Sequence, residues 1–326
     1  MLKTQVKNKS LKEHILSIYG EAGVFVILII MVILLTIFTD TFMTYRNLIN
    51  VIRQIAFYAI IGLGAMIIIV TTGIDLSPGS VVGVTSILVA KAAQNPENPT
   101  IVMFGVAVAV GLAFGALNGS LIAFAKVPPF IATLGTQIVG RGLALLIANG
   151  RPVSKLSPQF TFLGSGSIGP IPMPIIFLVV ISAITWYILK YTKTGRHIFA
   201  LGGNEQAAIV SGVKTQSVKL FVYIYASLLA AIAGMVLTAR VASGQPSLGT
   251  GFELQAIAGA VIGGTSLAGG AGSVFGVISG ALVIGVLNNG MDLLNINGYW
   301  QQIAQGTIIV GAVMLDILRQ KTSKTK

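Results

Sequence analysis

Apolar runs of membrane-crossing length recur along this chain from Ala22 to Ile317. The hydrocarbon core of a bilayer is about 30 Å thick, and a helix needs about 20 apolar residues to cross it. The first run is 22–38; others lie near 51–70, 79–93, 101–124, 130–149, 173–191, 218–240, 253–265, 272–294 and 299–317. Backbone N–H and C=O groups in lipid must bond inside the protein, so such runs fold as helices. Composition agrees: 54% of residues are hydrophobic and 9% are charged, whereas a water-exposed globule carries about 25% charged residues. The expectation is an all-α, polytopic membrane protein of about ten transmembrane helices, with residues 1–326 forming a single transmembrane domain.

An even number of crossings puts both termini on one side. Cytoplasmic loops are enriched in Lys and Arg. With the termini inside, the cytoplasmic segments hold Lys3, Lys7, Lys9 and Lys12 in a tail at 1–21, then Lys126. Lys190, Lys193, Arg196, Lys214 and Lys219 follow in and beside a loop at 192–217. Arg319, Lys321, Lys324 and Lys326 complete the set in a basic tail at 318–326. The remaining cations are Arg46, Arg53, Lys91, Arg141, Arg151, Lys155 and Arg240. The bias predicts a multi-pass protein of the cell (inner or plasma) membrane with cytoplasmic termini. The net charge of +12 therefore reads as sidedness, with membrane lipid and no nucleic acid as partner. The basic start and first apolar run resemble a secretory signal, but Thr36 to Tyr45 offers no small-residue cleavage site, so the run is read as a retained span.

The chemistry available is narrow. There is no cysteine, and the two histidines, His14 and His197, sit in basic stretches, which argues against a metal site. No G-x-x-x-x-G-K-[ST], H-E-x-x-H or G-x-S-x-G occurs. Residues Gly164 to Gly169 fit G-x-G-x-x-G, but Pro170, Pro172 and Pro174 follow, and they cannot open the helix a dinucleotide needs. No cofactor and no catalysis are expected in this chain.

Glycine is abundant, at 39 residues, with four-residue spacings such as Gly111–Gly115–Gly119 and Gly276–Gly280. In lipid, small residues let helix backbones approach closely. A weak internal repeat is also visible. Residues Pro78 to Val84 parallel Ala271 to Val277, and Asn118–Gly119 echoes Asn288–Asn289–Gly290 at a different offset.

Polar groups in membrane segments are costly and mark functional positions by default. Asp75 lies where Gly73 and Pro78 must interrupt a helix, and irregular backbone at membrane depth occurs where it is buried or lines water. Ser77, Asn118, Glu253, Gln255, Asn288 and Asn289 join Asp75 as candidates for a translocation pathway; Gln137, Arg141 and Asp292 also fall in or near spans. Each Asn or Gln could equally bond a neighbouring backbone group. In the loop after Lys193, Gly202 and Gly203 predict a turn, Asn204 an N-cap, Glu205 a complement to the helix N-terminus, and Gly212 a left-handed stop. A helix of about two turns is marginal alone. Its small face, Ala207, Ala208 and Ser211, suits a groove on another protein; an interfacial helix lying on lipid is the other reading.

Four ordered motifs then carry a resemblance. They are Gly73-Ile74-Asp75-Leu76-Ser77, Pro129-Phe130-Ile131-Ala132-Thr133-Leu134-Gly135-Thr136, Ala200-Leu201-Gly202-Gly203-Asn204-Glu205 and Gly263-Gly264-Thr265-Ser266-Leu267. Across roughly residues 25–318 the chain resembles the ribose, xylose and galactose permeases of ATP-binding-cassette importers, ribose permeases in particular. The resemblance implies a permease subunit that is not itself an enzyme, working with a second permease copy. It also implies a cytoplasmic tandem ATPase subunit that hydrolyses ATP, and an extracytoplasmic sugar-binding protein. It implies that Gly202 to Gly212 couples to that ATPase. Where the family often reads Glu-Leu-Asp-Ala-Ile-Ala, this chain has Glu253-Leu254-Gln255-Ala256-Ile257-Ala258, which puts a charged role at position 255 in doubt. Branched-chain amino-acid permeases are an alternative of the same class. An ion-driven secondary transporter is the other, and it would need a mid-span ionisable relay.

Overall fold

Prolines open the helices of this chain. The computed structural model describes residues 11–324. Helix α1 spans Leu11–Phe38 and α2 spans Tyr45–Val70; Pro78 then starts α3 (Pro78–Ala93). Pro99 precedes α4 (Thr100–Ala123), and Pro129, Pro158 and Pro174 stand in the first turns of α5 (Pro129–Ala148), α6 (Pro158–Ser165) and α7 (Met173–Tyr191). A proline costs nothing there, because the first-turn N–H groups have no helical partner. A two-residue hairpin, β1 (Ser167–Ile168) with β2 (Ile171–Pro172), joins α6 to α7. The G-x-G-x-x-G segment, Gly164 to Gly169, runs from the last turn of α6 into this hairpin, and α7 opens directly after it with Pro174 in its first turn. Contrary to the sequence expectation, the prolines do not bar a helix there, because a first-turn proline lacks only an N–H that has no helical partner. Helices α8 (Lys193–Gly203), α9 (Glu205–Val210), α10 (Thr215–Val241), α11 (Phe252–Ile262), α12 (Val274–Leu293) and α13 (Gly298–Lys324) follow.

The protein is all-α and polytopic. Helices α2, α4, α5, α7, α10 and α12 are long and apolar enough to cross a membrane, and Gly23–Phe38, α3 and α11 are shorter apolar helices. With 16 and 11 residues, α3 and α11 measure only about 24 and 16 Å at 1.5 Å per residue. Irregular chain supplies the rest of each path. Residues 71–77 lead from the end of α2 into the bundle before α3 begins. Residues 242–251 do the same between α10 and α11, from the opposite end: Gly244 pairs with Val153 beside the end of α5, whereas the turn after α11 returns to α2, Gly270 N–H donating to Val70 O. Residues 253–265 therefore belong to a full traverse made of loop plus half-helix, not to a helix that spans alone.

Helix extends into both tails and through most of the 192–217 loop. Residues 1–10 lie outside the described residues, but α1 already runs from Leu11, and α13 continues to Lys324 through the expected basic tail. The 192–217 segment contains α8, α9 and the start of α10. Gly202 and Gly203 finish α8 rather than forming a separate turn, and α8 packs on the bundle through Ile198, Leu201 and Gly202. A Cβ at Gly202 would overlap the carbonyl of Val70 and crowd the Gly270 amide.

The glycine spacings do what close packing requires. Helices α4 and α10 form the most extensive pairing in the molecule. A Cβ at Gly111, Gly115 or Gly119 would run into the α10 backbone at Leu228, Ile224 or Leu220 respectively. Gly276 and Gly280 face the carbonyls of Gly263 and Gly259 in the same way.

Of the two sequence echoes, one falls on equivalent elements. Asn118 stands five residues before the end of α4 and Asn288 five before the end of α12. Each accepts a hydrogen bond from the eighth residue of the next long helix, Thr136 of α5 and Gln305 of α13. Helices α2–α5 and α10–α13 thus repeat one order of long helix, loop-plus-half-helix and two further helices, in opposite directions through the bundle. The Pro78/Ala271 echo joins the starts of α3 and α12, which are not equivalent in that order. Both are simply Gly-Ser helix starts, with Ser273 capping α12 by accepting from Gly276 N–H at 3.0 Å.

Candidate functional site

The two half-helices begin inside the bundle, and their first turns meet. A Cβ at Gly79, in the first turn of α3, would collide with the Glu253 carboxylate, in the first turn of α11. Helix N-termini carry unpaired N–H groups and a partial positive charge, so acceptors and anions settle beside them. Both half-helices follow that rule.

At α3 the acceptor is Asp75. Its Oδ1 accepts from Ser77 N–H at 2.8 Å and Ser77 Oγ–H at 2.6 Å, an Asx-type closure that turns the chain into the helix. Ser77 Oγ in turn accepts from Asn118 Nδ2 at 3.0 Å, and Asn118 Oδ1 accepts from Thr136 Oγ1 at 2.8 Å. The donors run in one direction, from Thr136 through Asn118 and Ser77 to Asp75. All four residues are buried. Asp75 Oδ2 is buried without a partner. Thr133 and Tyr223 close the near side, each donating to Ile74 O at 3.4 Å.

At α11 the acceptor is Glu253, whose Oε1 accepts from Gln137 Nε2 at 3.0 Å while Oε2 is buried and unpartnered. One turn along α5, the Arg141 guanidinium donates to the carbonyls of Pro246 and Leu248 at 2.7 and 3.2 Å. Arg141 thereby satisfies irregular backbone that the loop leaves exposed inside the bundle. Helix α5 faces both half-helices with Thr133, Thr136, Gln137 and Arg141 on one side, while Ile131, Ile138, Val139 and Leu146 on the other are exposed.

The seven pathway candidates do not form one group. Asp75, Ser77 and Asn118 belong to the first cluster and Glu253 to the adjacent one. Gln255 donates to Gln305 Oε1 at 3.3 Å, and Gln305 donates to Asn288, tying α11, α13 and α12 together. Asn289 exchanges hydrogen bonds with Asn47 at 2.9 and 2.8 Å, which joins α12 to the start of α2. Asp292 accepts from Gln301 at 2.7 Å. Gln255, Asn288 and Asn289 thus each link two helices through a side-chain hydrogen bond. Thr133, Thr136 and Tyr223 join this region although the sequence does not single them out as pathway positions. The two threonines sit three apart in the Pro129–Thr136 motif, on one helical face, and that spacing was the available signal.

In the 192–217 loop, Asn204 Oδ1 accepts from Ala207 N–H at 2.9 Å and caps α9, and Gly212 takes φ +83° at its end. Glu205 is held by Lys219 at 2.7 Å. The small face divides, however. Ala208 is buried against the chain's own bundle, as is Gly202, whereas Gln206, Ala207, Val210 and Ser211 are exposed, Val210 at 89%. The outward surface of α9 therefore carries Ala207, Val210 and Ser211, not Ala208. A cavity of about 690 Å³ opens beside it, between Lys126, Lys214 and the floor residues Gly73 and Tyr223.

Known proteins fit this architecture. The family model described as branched-chain amino acid transport system / permease component matches residues 47–314. The chain is 38% identical to the ribose import permease protein of Haemophilus influenzae, over 97% of this chain and 98% of that one. It is 39% identical to the ribose import permease protein of Bacillus subtilis, over 96% and 97%. It is 34% identical to the galactose/methyl galactoside import permease protein of Escherichia coli, over 96% and 98%. No solved structure matches the chain. A polytopic all-α bundle, half-helices meeting in its interior and matches that run nearly end to end place the chain in the branched-chain amino acid transport system / permease component family, as a transport permease similar to sugar-import members.

Proposed function

We propose that this chain is the membrane-spanning permease subunit of an ATP-driven importer for a monosaccharide of the ribose class. The observation that carries the reading is the likeness to ribose import permeases over nearly the full length of both chains. In this reading two copies form the pathway, an extracytoplasmic binding protein delivers the sugar, and a cytoplasmic ATPase drives alternation by favouring one of two states. The end bearing α8 and α9 is cytoplasmic. The Asp75–Ser77–Asn118–Thr136 chain and the Glu253–Gln137 pair, at the junction of two half-helices, hold the element that moves. The chain needs no cofactor of its own, because the nucleotide is bound by the partner.

The coupling contact is the outward face of α9. Ala207→Arg and Val210→Arg place long hydrated cations on that face and leave the fold of the permease intact, because both residues are exposed. Desolvating an unpaired charge in an interface is costly. A tag on the permease should therefore recover the co-expressed ATPase from the parent and lose it from both variants, with uptake of labelled ribose lost in parallel. Full recovery and full uptake in both variants would leave α9 as an interfacial helix on lipid. Both positions are chosen over Ala208, which is buried in the permease's own packing.

A further inference from the structure

The exposed side of α7 changes character along its length. Val180 and Ile184 are about half exposed, then Trp186, Tyr187 and Tyr191 at 38%, 59% and 53%. Lys190 is exposed beside them, and Lys193 and Arg196 follow at the start of α8. The opposite side of α7, with Leu178, Ile181, Thr185 and Leu189, is buried. The aromatic rings form a group: Trp186 and Tyr191 meet edge to face at 5.2 Å, and Tyr187 lies 5.6 Å from Tyr191. Lys190 Nζ stands 5.0 Å from the Trp186 ring centre. Among the described residues the one ion pair is Lys219 with Glu205, so these three cations have no carboxylate.

We propose that this face is a binding site for an anionic phospholipid, with acyl chain along Val180 and Ile184, glycerol at the aromatic group and headgroup phosphate at Lys190, Lys193 and Arg196. The order apolar, aromatic, basic is the order of polarity along such a lipid, and Trp and Tyr settle at the level of the headgroups. A second copy of the chain is a poor occupant, because burying three unpaired cations carries a large desolvation cost. The inference rests on the membrane-spanning fold and is independent of which solute is carried.

The chain has two tryptophans, Trp186 and Trp300, so Trp300→Phe isolates the emission of Trp186. The full chain carrying that change is placed in nanodiscs of equal parts phosphatidylcholine and phosphatidylglycerol, with bromines on the acyl chains of one lipid or the other. Each basic residue at an anionic surface should enrich the acidic lipid on the order of fivefold, so brominated phosphatidylglycerol should quench Trp186 well beyond brominated phosphatidylcholine. Replacing Lys190, Lys193 and Arg196 together by Gln should make the two equal without changing recovery of the folded protein, since all three are exposed. Equal quenching in the parent overturns the site in favour of ordinary boundary lipid. Quenching by neither lipid also overturns it and shows the face covered by protein, and a preference that survives the triple change removes the cations from the assignment.

Discussion

Asp75 accepts both donors of Ser77 through one oxygen and keeps the other buried and unpartnered. The first half of that arrangement is structural, because it turns residues 71–77 into α3. The second half is costly unless the free oxygen gains a partner in another state, since a buried acceptor without a hydrogen bond costs about 1–3 kcal/mol. Asp75→Asn retains the accepting oxygen and the shape but removes the charge and puts an N–H₂ on the free side. If the unpartnered oxygen is used during transport, uptake should fall by about tenfold, the equivalent of about 1.4 kcal/mol on a barrier. The amount of assembled permease should change little. Uptake at the parent's rate would assign Asp75 to helix initiation alone.

Between elements, the glycines of α4 set how closely it approaches α10. A Cβ at Gly115 would overlap Ile224 Cα, whereas one at Gly105, on the exposed side of α4, meets nothing within 4 Å. Overpacking a tight contact typically costs about 1–3 kcal/mol. Gly115→Leu should therefore lower the thermal midpoint of the detergent-solubilised protein sharply, and Gly105→Leu should leave it close to the parent's. Equal midpoints would mean that the α4–α10 contact contributes little to the stability of the bundle.

For the whole molecule, the lysines and arginines gathered at the α8–α9 end predict which way it sits. The chain has no cysteine, so single introductions report cleanly. Ser165, at the end of α6, and Ser211, just after α9, are both exposed and lie at opposite ends of the bundle. With the termini cytoplasmic, an impermeant thiol reagent added to intact cells should label Ser165→Cys and spare Ser211→Cys until the membrane is opened. The reverse pattern would invert the orientation and, with it, the side on which an ATPase could meet α9.

Length and hydropathy alone determined the class of this protein, because lipid leaves a chain with so few charges almost no other way to satisfy its backbone. Local chemistry reached further where it acts within a turn: the Asn204 cap, the Gly212 stop and the break before Pro78 were all legible, whereas the proline that opens α7 was read as a helix breaker. Partners distant in sequence were not. That Glu253 lies against Gly79, that Asn289 pairs with Asn47, and that Gln255 reaches Asn288 through Gln305 depend on how two oppositely running sets of helices pack. No local propensity encodes that packing. The direction in which a six-residue helix turns is of the same kind: Ala207 and Ala208 are adjacent and alike in the sequence, and only the packing of α8 and α9 on the bundle decides that one faces outward and the other is buried.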